Sequence, residues 1–204
     1  MVTPRRIGLD LDNTVIDYAP ACRAVAKEMG LQQQLVDRES IRESLRKSEE
    51  DDEEWQRFQA LLYTDGLAYA QPAPGLLEFL RLCDSIGVNV VIISHKTEAT
   101  PTRFGSRDLR APASEWLHTQ GLVPAHVSPD GVFFCADRAE KLRTIVAAGC
   151  DVFVDDLIEV LEDADMPIGI TRFHYQVGAN SISAEPESIV DADFLSLTSW
   201  LKSC

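Results

Sequence analysis

Apolar and polar positions alternate along this chain with two different periods. Short, nearly unbroken apolar runs occur at Ile7–Leu11, Val88–Ile93, Val132–Phe134, Val152–Val154 and Ile168–Ile170, each of strand length and too short for a helix. Between most of them, apolar residues recur every three or four positions. In "PGLLEFLRLCDSIG" these are Leu76, Leu77, Leu80, Cys83 and Ile86, with Pro74 and Gly75 at the start and Gly87 at the end, the order in which helices begin and stop. "APASEWLHTQGL" carries Trp116 and Leu117 before Gly121, and "RAEKLRTIVAAGC" carries Leu142, Ile145 and Val146 before Gly149. Continuous apolar strands alternating with helices predict an α/β fold, a Rossmann-like parallel sheet covered on both faces. In such sheets ligands sit beyond the carboxyl ends of the strands.

The rhythm breaks once. From about Ile16 to Gln71 no strand signal occurs, and three helix patterns follow one another: "APACRAVAKEMG", the weakly amphipathic "DRESIRESLRK", and "EEWQRFQALLYTDGLAYA". A "QPAPG" turn then returns the chain to the apolar rhythm. The expected organisation is a core of residues 1–15 and 72–204 with a small helical cap, residues 16–71, inserted so as to close over the strand ends.

Composition narrows the class. With 204 residues, 45% of them hydrophobic, the chain suits one globular domain with an insertion and supports a buried core. The net charge of −14 disfavours nucleic acid and anionic membranes as partners. Part of that charge lies in "SEEDDEEW", Ser48 to Trp55, which reads as a solvated helix start. Five scattered cysteines without C-x-x-C spacing predict reduced thiols and a cytoplasmic setting. Four histidines without H-x-x-x-H pairing argue against zinc. The N-terminus lacks a signal-peptide stretch, and the longest apolar run, Val88–Ile93, is too short to span a bilayer.

The chemistry collects where strands end. The first run leads into "DLDNT", with Asp10 and Asp12 two residues apart. Taken alone, this reads equally as an acidic turn capping a helix from about Ile16, because Asp, Asn and Thr all cap well. A calcium loop is ruled out by Val15 and Ala21 at its sixth and twelfth positions. The second run ends at Ser94, and the fourth at the adjacent Asp155 and Asp156. Lys141 lies fourteen positions before Asp155, near the start of the intervening helix. A parallel sheet brings these side chains to one edge, where four acids and one lysine need a further cation. A hard divalent ion with oxygen ligands, Mg²⁺ above all, answers that need and engages substrate phosphate.

This order of DxDNT (Asp10 to Thr14), an apolar strand with Ser94, Lys141, and a strand with Asp155–Asp156 resembles the haloacid dehalogenase-like (HAD) hydrolase superfamily. The resemblance covers essentially the whole chain, including "PAPGLLEFLRLCDSIGVNVVIIS" before the second motif, and the inserted helices stand where that family has its cap. It implies a phosphatase working through an aspartyl phosphate. Asp10 is then the nucleophile and Asp12 the general acid and base. Asp10, Asp155 and the Asp12 backbone carbonyl hold Mg²⁺, with Asp156 acting through water or from behind. Asn13, Ser94, His95 and Lys141 hold the phosphoryl group, partly through backbone N–H groups. The carboxylate at Asp12 favours phosphate over carbon–halogen chemistry. Lys141 lacks the Pro-rich surroundings of many members, and Lys96 is the substitute phosphate lysine.

The expected substrate is a small soluble phosphomonoester such as a sugar phosphate or nucleotide. The alternatives are a phosphomutase or phosphotransferase using the same aspartyl phosphate, and a non-catalytic interaction domain. After Ser94 the segment "HKTEATPTRFGSRDLRAP" is locally basic, with Lys96, Arg103, Arg107 and Arg110. It reads either as a solvated loop or as a lid for an anionic substrate. His174 and Tyr175, after the fifth run, stand near enough to the same edge to be second candidates.

Overall fold

The computed structural model describes residues 3–31, 38–46, 52–100, 103, 105–179 and 188–204. Two compact units emerge, Met1–Ile16, Pro72–Lys96 and Gly121–Cys204 forming one, Asp17–Gln71 and Thr97–Gln120 the other.

The first unit is built on a parallel sheet. Its strands in chain order are β1 (Arg6–Leu9), β4 (Asn89–His95), β5 (Val132–Cys135), β6 (Val152–Asp155), β7 (Thr171–Tyr175) and β8 (Ile189–Ala192). In space they run β5-β4-β1-β6-β7-β8, every pair parallel. The numbering supplies two short strands where the chain leaves this unit and returns, β2 (Ile16–Asp17) and β3 (Gln71–Pro72). The chain thus starts at the middle of the sheet, builds one half, and crosses β1 to build the other. That reversal, with β4 on one side of β1 and β6 on the other, opens a crevice at the carboxyl ends of these three strands. Registers Leu9↔Ile92 and Leu9↔Val154 place the residues after Leu9 beside the ends of β4 at His95 and of β6 at Asp155.

Both faces of the sheet are covered, as the unbroken apolar runs require. On one face Val91, Ile93, Leu142, Ile145, Phe153 and Leu161 form a buried cluster under α6 (Arg138–Ala148). On the other, Phe79 of α4 (Leu76–Ile86), Phe173 and Tyr175 of β7, and Phe194 and Trp200 of α8 (Phe194–Lys202) make ring contacts at 4.9–5.4 Å. Helix boundaries follow local chemistry. In α6 the Asp137 carboxylate accepts the Glu140 N–H at 2.7 Å at one end, and Gly149 at φ +66° closes the other, a conformation that costs glycine little.

The second unit contains α1 (Ala19–Glu28), α2 (Arg38–Leu45), α3 (Glu53–Leu62), a 3₁₀ turn at Asp65–Tyr69 and α5 (Arg110–Thr119). Its aromatic contacts are Tyr18 edge-on to Tyr63 and Trp55 stacked on Phe58, with the Arg38 guanidinium over Trp55. The residues before α5 fold on themselves through Thr100 N–H to Arg107 C=O and Leu109 N–H to Glu98 C=O. The sequence assigns residues 97–120 to the core; in the structure they group with residues 17–71, where the Trp116 indole N–H donates to the Ala70 carbonyl.

Several local expectations need correction. The apolar run Ile168–Ile170 is not a strand: Gly169 at φ +87° turns the chain and Ile168 is 92% exposed, so the strand begins at Thr171. Its mixed sequence TRFHY buries only Phe173 and Tyr175, an alternation that a search for solid apolar runs overlooks. Strand β8 and helix α8 escape the same search. No helix starts at Ile16; Ile16–Asp17 is extended and α1 begins at Ala19, beside Pro20. Between Asp156 and β7 the chain makes one helical turn, α7 (Ile158–Leu161). Val146 is 56% exposed, so the buried face of α6 runs through Lys141, Leu142 and Ile145 instead. Much of the acidic run 48–55 lies outside the described residues.

Candidate active site

Strand β1 stops at Leu9, and the next residue still shares the ladder: Asp10 N–H donates to the Val154 carbonyl at 2.8 Å. The chain then turns sharply. Val15 and Ile16 N–H both bond the Leu11 carbonyl, and Asn13 adopts φ +61°, a left-handed conformation that Asn tolerates better than most residues. This turn separates the two acids of "DLDNT". A continuing strand would leave Asp10 and Asp12 on one face; instead each meets a different lysine.

Asp10 is buried beside Lys141, whose ammonium lies 2.5 Å from Asp10 Oδ1 and 2.6 Å from Asp155 Oδ2. Carboxylate oxygens of Asp10, Asp155 and Asp156 all lie within 4.8 Å of one another. Asp155 ends β6 and also accepts the Leu157 N–H. Burial pushes the Asp10 carboxyl well above the usual range; Lys141 opposes this, while the charges of Asp155, Asp156 and Asp12 reinforce it. Burial and then Asp155 raise Asp156 to about 6, against the pull of Lys141 and a hydrogen bond from Asn13. Burial works against the charge of Lys141, but Asp10 and Asp155 more than compensate and hold its pKa above the ordinary value. Three carboxylates therefore face one ammonium, and the negative excess suits a divalent cation with oxygen ligands.

The remaining candidates lie on the turn after β1 and at the end of β4, which pairs with β1. Ser94, near the end of β4, is 1% exposed, and its hydroxyl has no hydrogen-bond partner among the described residues. The hydroxyl of Thr14, in the turn after Asp12, is buried in the same condition. Since buried polar atoms are normally paired, two orphaned hydroxyls point to a polar ligand. His95 is exposed and its Nε2 lies 3.1 Å from the Ala136 carbonyl. Asp12 takes both its carboxylate oxygens to Lys96 Nζ, at 3.0 and 2.7 Å, and its side chain is not part of the three-acid group. Lys141, rather than Lys96, stands at that group.

His174, across from Asp155 in the β6–β7 register, reaches the Asp156 carbonyl at 3.1 Å and Asp191 at 2.9 Å. Tyr175 faces the other way, against Phe194. The alternation of β7 is the signal that separates them. In the second unit, the arginines that make the loop basic have partners of their own: Arg107 grips Asp65 with both terminal nitrogens, Arg110 pairs with Glu98 at 3.5 Å, and Arg103 donates to Gln56.

No protein-family model matches the chain, and no curated protein matches it in sequence. Solved structures do. A haloacid dehalogenase-like family hydrolase from Streptococcus pneumoniae superposes with a TM-score of 0.61 at 14% identity, over 98% of this chain and 99% of that one. Protein Tyrosine Kinase A from Mycobacterium tuberculosis gives 0.64 at 18% identity, over 98% and 99%. A HAD family hydrolase from Deinococcus radiodurans R1, solved with bound phosphate and sodium, gives 0.58 at 14%, over 97% and 94%. At these identities the likeness establishes the fold: the chain has the α/β architecture of the haloacid dehalogenase-like hydrolases along nearly its full length.

Proposed function

We propose that this protein is a Mg²⁺-dependent phosphatase of a small soluble phosphomonoester, working through an aspartyl phosphate on Asp10. The observation that carries the reading is the convergence of the Asp10, Asp155 and Asp156 oxygens within 4.8 Å around the Lys141 ammonium, next to a crevice of the kind in which such sheets bind ligands. Asp10 and Asp155, with Asp156 and the Asp12 carbonyl, are the residues that would hold Mg²⁺. When bound, the ion neutralises the crowded carboxylates and the charge of the phosphoryl oxygens.

In the first step an Asp10 oxygen bonds to phosphorus as the ester P–O bond breaks, and Asp12 gives a proton to the departing oxygen. In the second, Asp12 takes a proton from a water whose oxygen attacks phosphorus. The Asp10–phosphorus bond then breaks, releasing inorganic phosphate and restoring both acids. Lys141 spends two of its three N–H donors on Asp10 and Asp155, leaving one for a phosphoryl oxygen. The unpartnered Ser94 hydroxyl, with backbone N–H groups near Asn13 and His95, supplies further donors where charge develops.

The inserted helices serve in this reading as a cap, and the five cysteines outside any disulfide support a cytoplasmic setting. The fold neighbour named as a tyrosine kinase supports a second reading, transfer of the same phosphoryl group to an acceptor other than water. A screen of phosphorylated metabolites with MgCl₂, with and without a phosphorylated co-substrate, separates the two by the release of inorganic phosphate. Activity is expected to vanish with EDTA and to fall at least about 10³-fold in Asp10→Asn while the circular dichroism spectrum is unchanged. Full activity in Asp10→Asn would sink both readings.

A further inference from the structure

Lys96 carries a charge that the phosphatase reading does not use, in a place where a charge is costly. It is 4% exposed, and lysine is almost never that buried without a partner. The partner is Asp12. One nitrogen, Nζ, lies within hydrogen-bond reach of both carboxylate oxygens, at 3.0 and 2.7 Å, so the carboxylate can neither rotate nor swing without losing a contact. The arm that holds it is anchored in turn, because Lys96 N–H donates to the Cys135 carbonyl at 2.9 Å, one step beyond the β4–β5 register that ends at His95↔Cys135. Two residues upstream on the same strand is Ser94. The second buried ammonium, Lys141, is committed to Asp10 and Asp155. The two lysines therefore attend to different acids.

We propose that Lys96 is the positioning residue of the acid/base side chain, holding the Asp12 carboxylate at a fixed orientation, and is not a phosphate-binding lysine. The inference rests on the phosphatase reading for the role of Asp12. A group that gives a proton to the leaving oxygen and later takes one from water has to face the same point twice, so its orientation governs both steps.

The test compares kcat and KM of wild type, Lys96→Met and Lys96→Arg on the best alkyl phosphate from the screen and on p-nitrophenyl phosphate. The nitrophenolate leaves readily without a proton; the alkoxide does not. Lys96→Met is expected to lower kcat on the alkyl phosphate by about 10- to 100-fold with KM within about twofold, to lose much less on p-nitrophenyl phosphate, and to be partly rescued in Lys96→Arg. A raised KM with equal losses on both substrates would make Lys96 a phosphate ligand and overturn the proposal. Melting curves give a readout that needs no turnover: Lys96→Met lowers Tm by taking the ammonium away from the half-buried Asp12 carboxylate, and adding Asp12→Asn recovers part of the loss. Absence of that recovery would also overturn it. A wild type inactive on every phosphate overturns the hydrolase reading, whereas an active wild type with unaltered Lys96→Met kinetics overturns this inference alone.

Discussion

At Gly8, in the middle of β1 and opposite Phe153 in the register, a Cβ would come within 2.6 Å of the Phe153 ring and 2.9 Å of Cys150 Sγ. A glycine inside a strand is normally a weakness, and here it is the condition for β1 and β6 to pack with that ring between sheet and helix. Gly8→Ala is expected to cost about 1–3 kcal/mol in urea unfolding, as over-filled cores do. Phe153→Leu added to it should recover part of the loss. A Gly8→Ala protein as stable as the parent would mean that the ring moves aside freely. Because Asp10 follows two residues later, any accommodation by β1 is transmitted straight to the candidate nucleophile.

At the scale of elements, the alignment of β1 with β6 determines whether Asp10 and Asp155 meet. One side chain ties the two strands at their other end: Asp151 accepts from the N–H groups of Arg5 and Arg6 at 2.7 and 3.1 Å and from the Arg5 guanidinium at 3.2 Å. Burial alone would raise its pKa, but these donors outweigh it and hold the carboxyl below its ordinary value. A depressed folded-state pKa means that the unfolded chain binds the proton more readily. The stabilisation is therefore complete above the unfolded value of about 3.9 and is lost as the pH falls from there through the lower folded value. Asp151→Ala is expected to cost about 1–2 kcal/mol at neutral pH, with the gap to wild type narrowing below about pH 4. A gap that stays constant from pH 7 to the acid limb would show that the ionised carboxylate contributes nothing.

At the scale of the whole molecule, none of the five cysteines is in a disulfide and four of them, Cys22, Cys83, Cys135 and Cys150, are buried. Burial pushes the thiol of Cys83 up to about 12 and that of Cys150 to about 11, so neither offers a thiolate at neutral pH. A thiol reagent added to native protein is expected to modify Cys204 alone, with the other four reacting only as the fold opens. The rate of their modification in denaturant then reports opening directly. Rapid native labelling of Cys83 or Cys150 would contradict the packing of the first unit. The same cores explain why the chain tolerates a net charge of −14: the acids lie largely outside, and the two buried among the described residues, Asp10 and Asp155, share the Lys141 ammonium.

What the sequence determined by itself is what depends on near neighbours. The apolar runs of β1, β4, β5 and β6, the glycine stops of α4 and α6, and the polar residues at the strand ends all follow from periodicity and turn chemistry. Where the local signal was diluted, as in TRFHY of β7, or imitated, as in the exposed Ile168, the reading failed. Only the tertiary structure decided which charges meet. Lys141 and Asp10 are 131 residues apart and Lys96 and Asp12 are 84 apart. The order of the motifs ranks Lys141 ahead of Lys96 as the phosphate lysine, but which acid each lysine meets is decided by the strand order β4-β1-β6. Burial completes that choice, because a charge removed from water needs a partner at hydrogen-bond distance, and partners at that distance are a property of the folded chain alone.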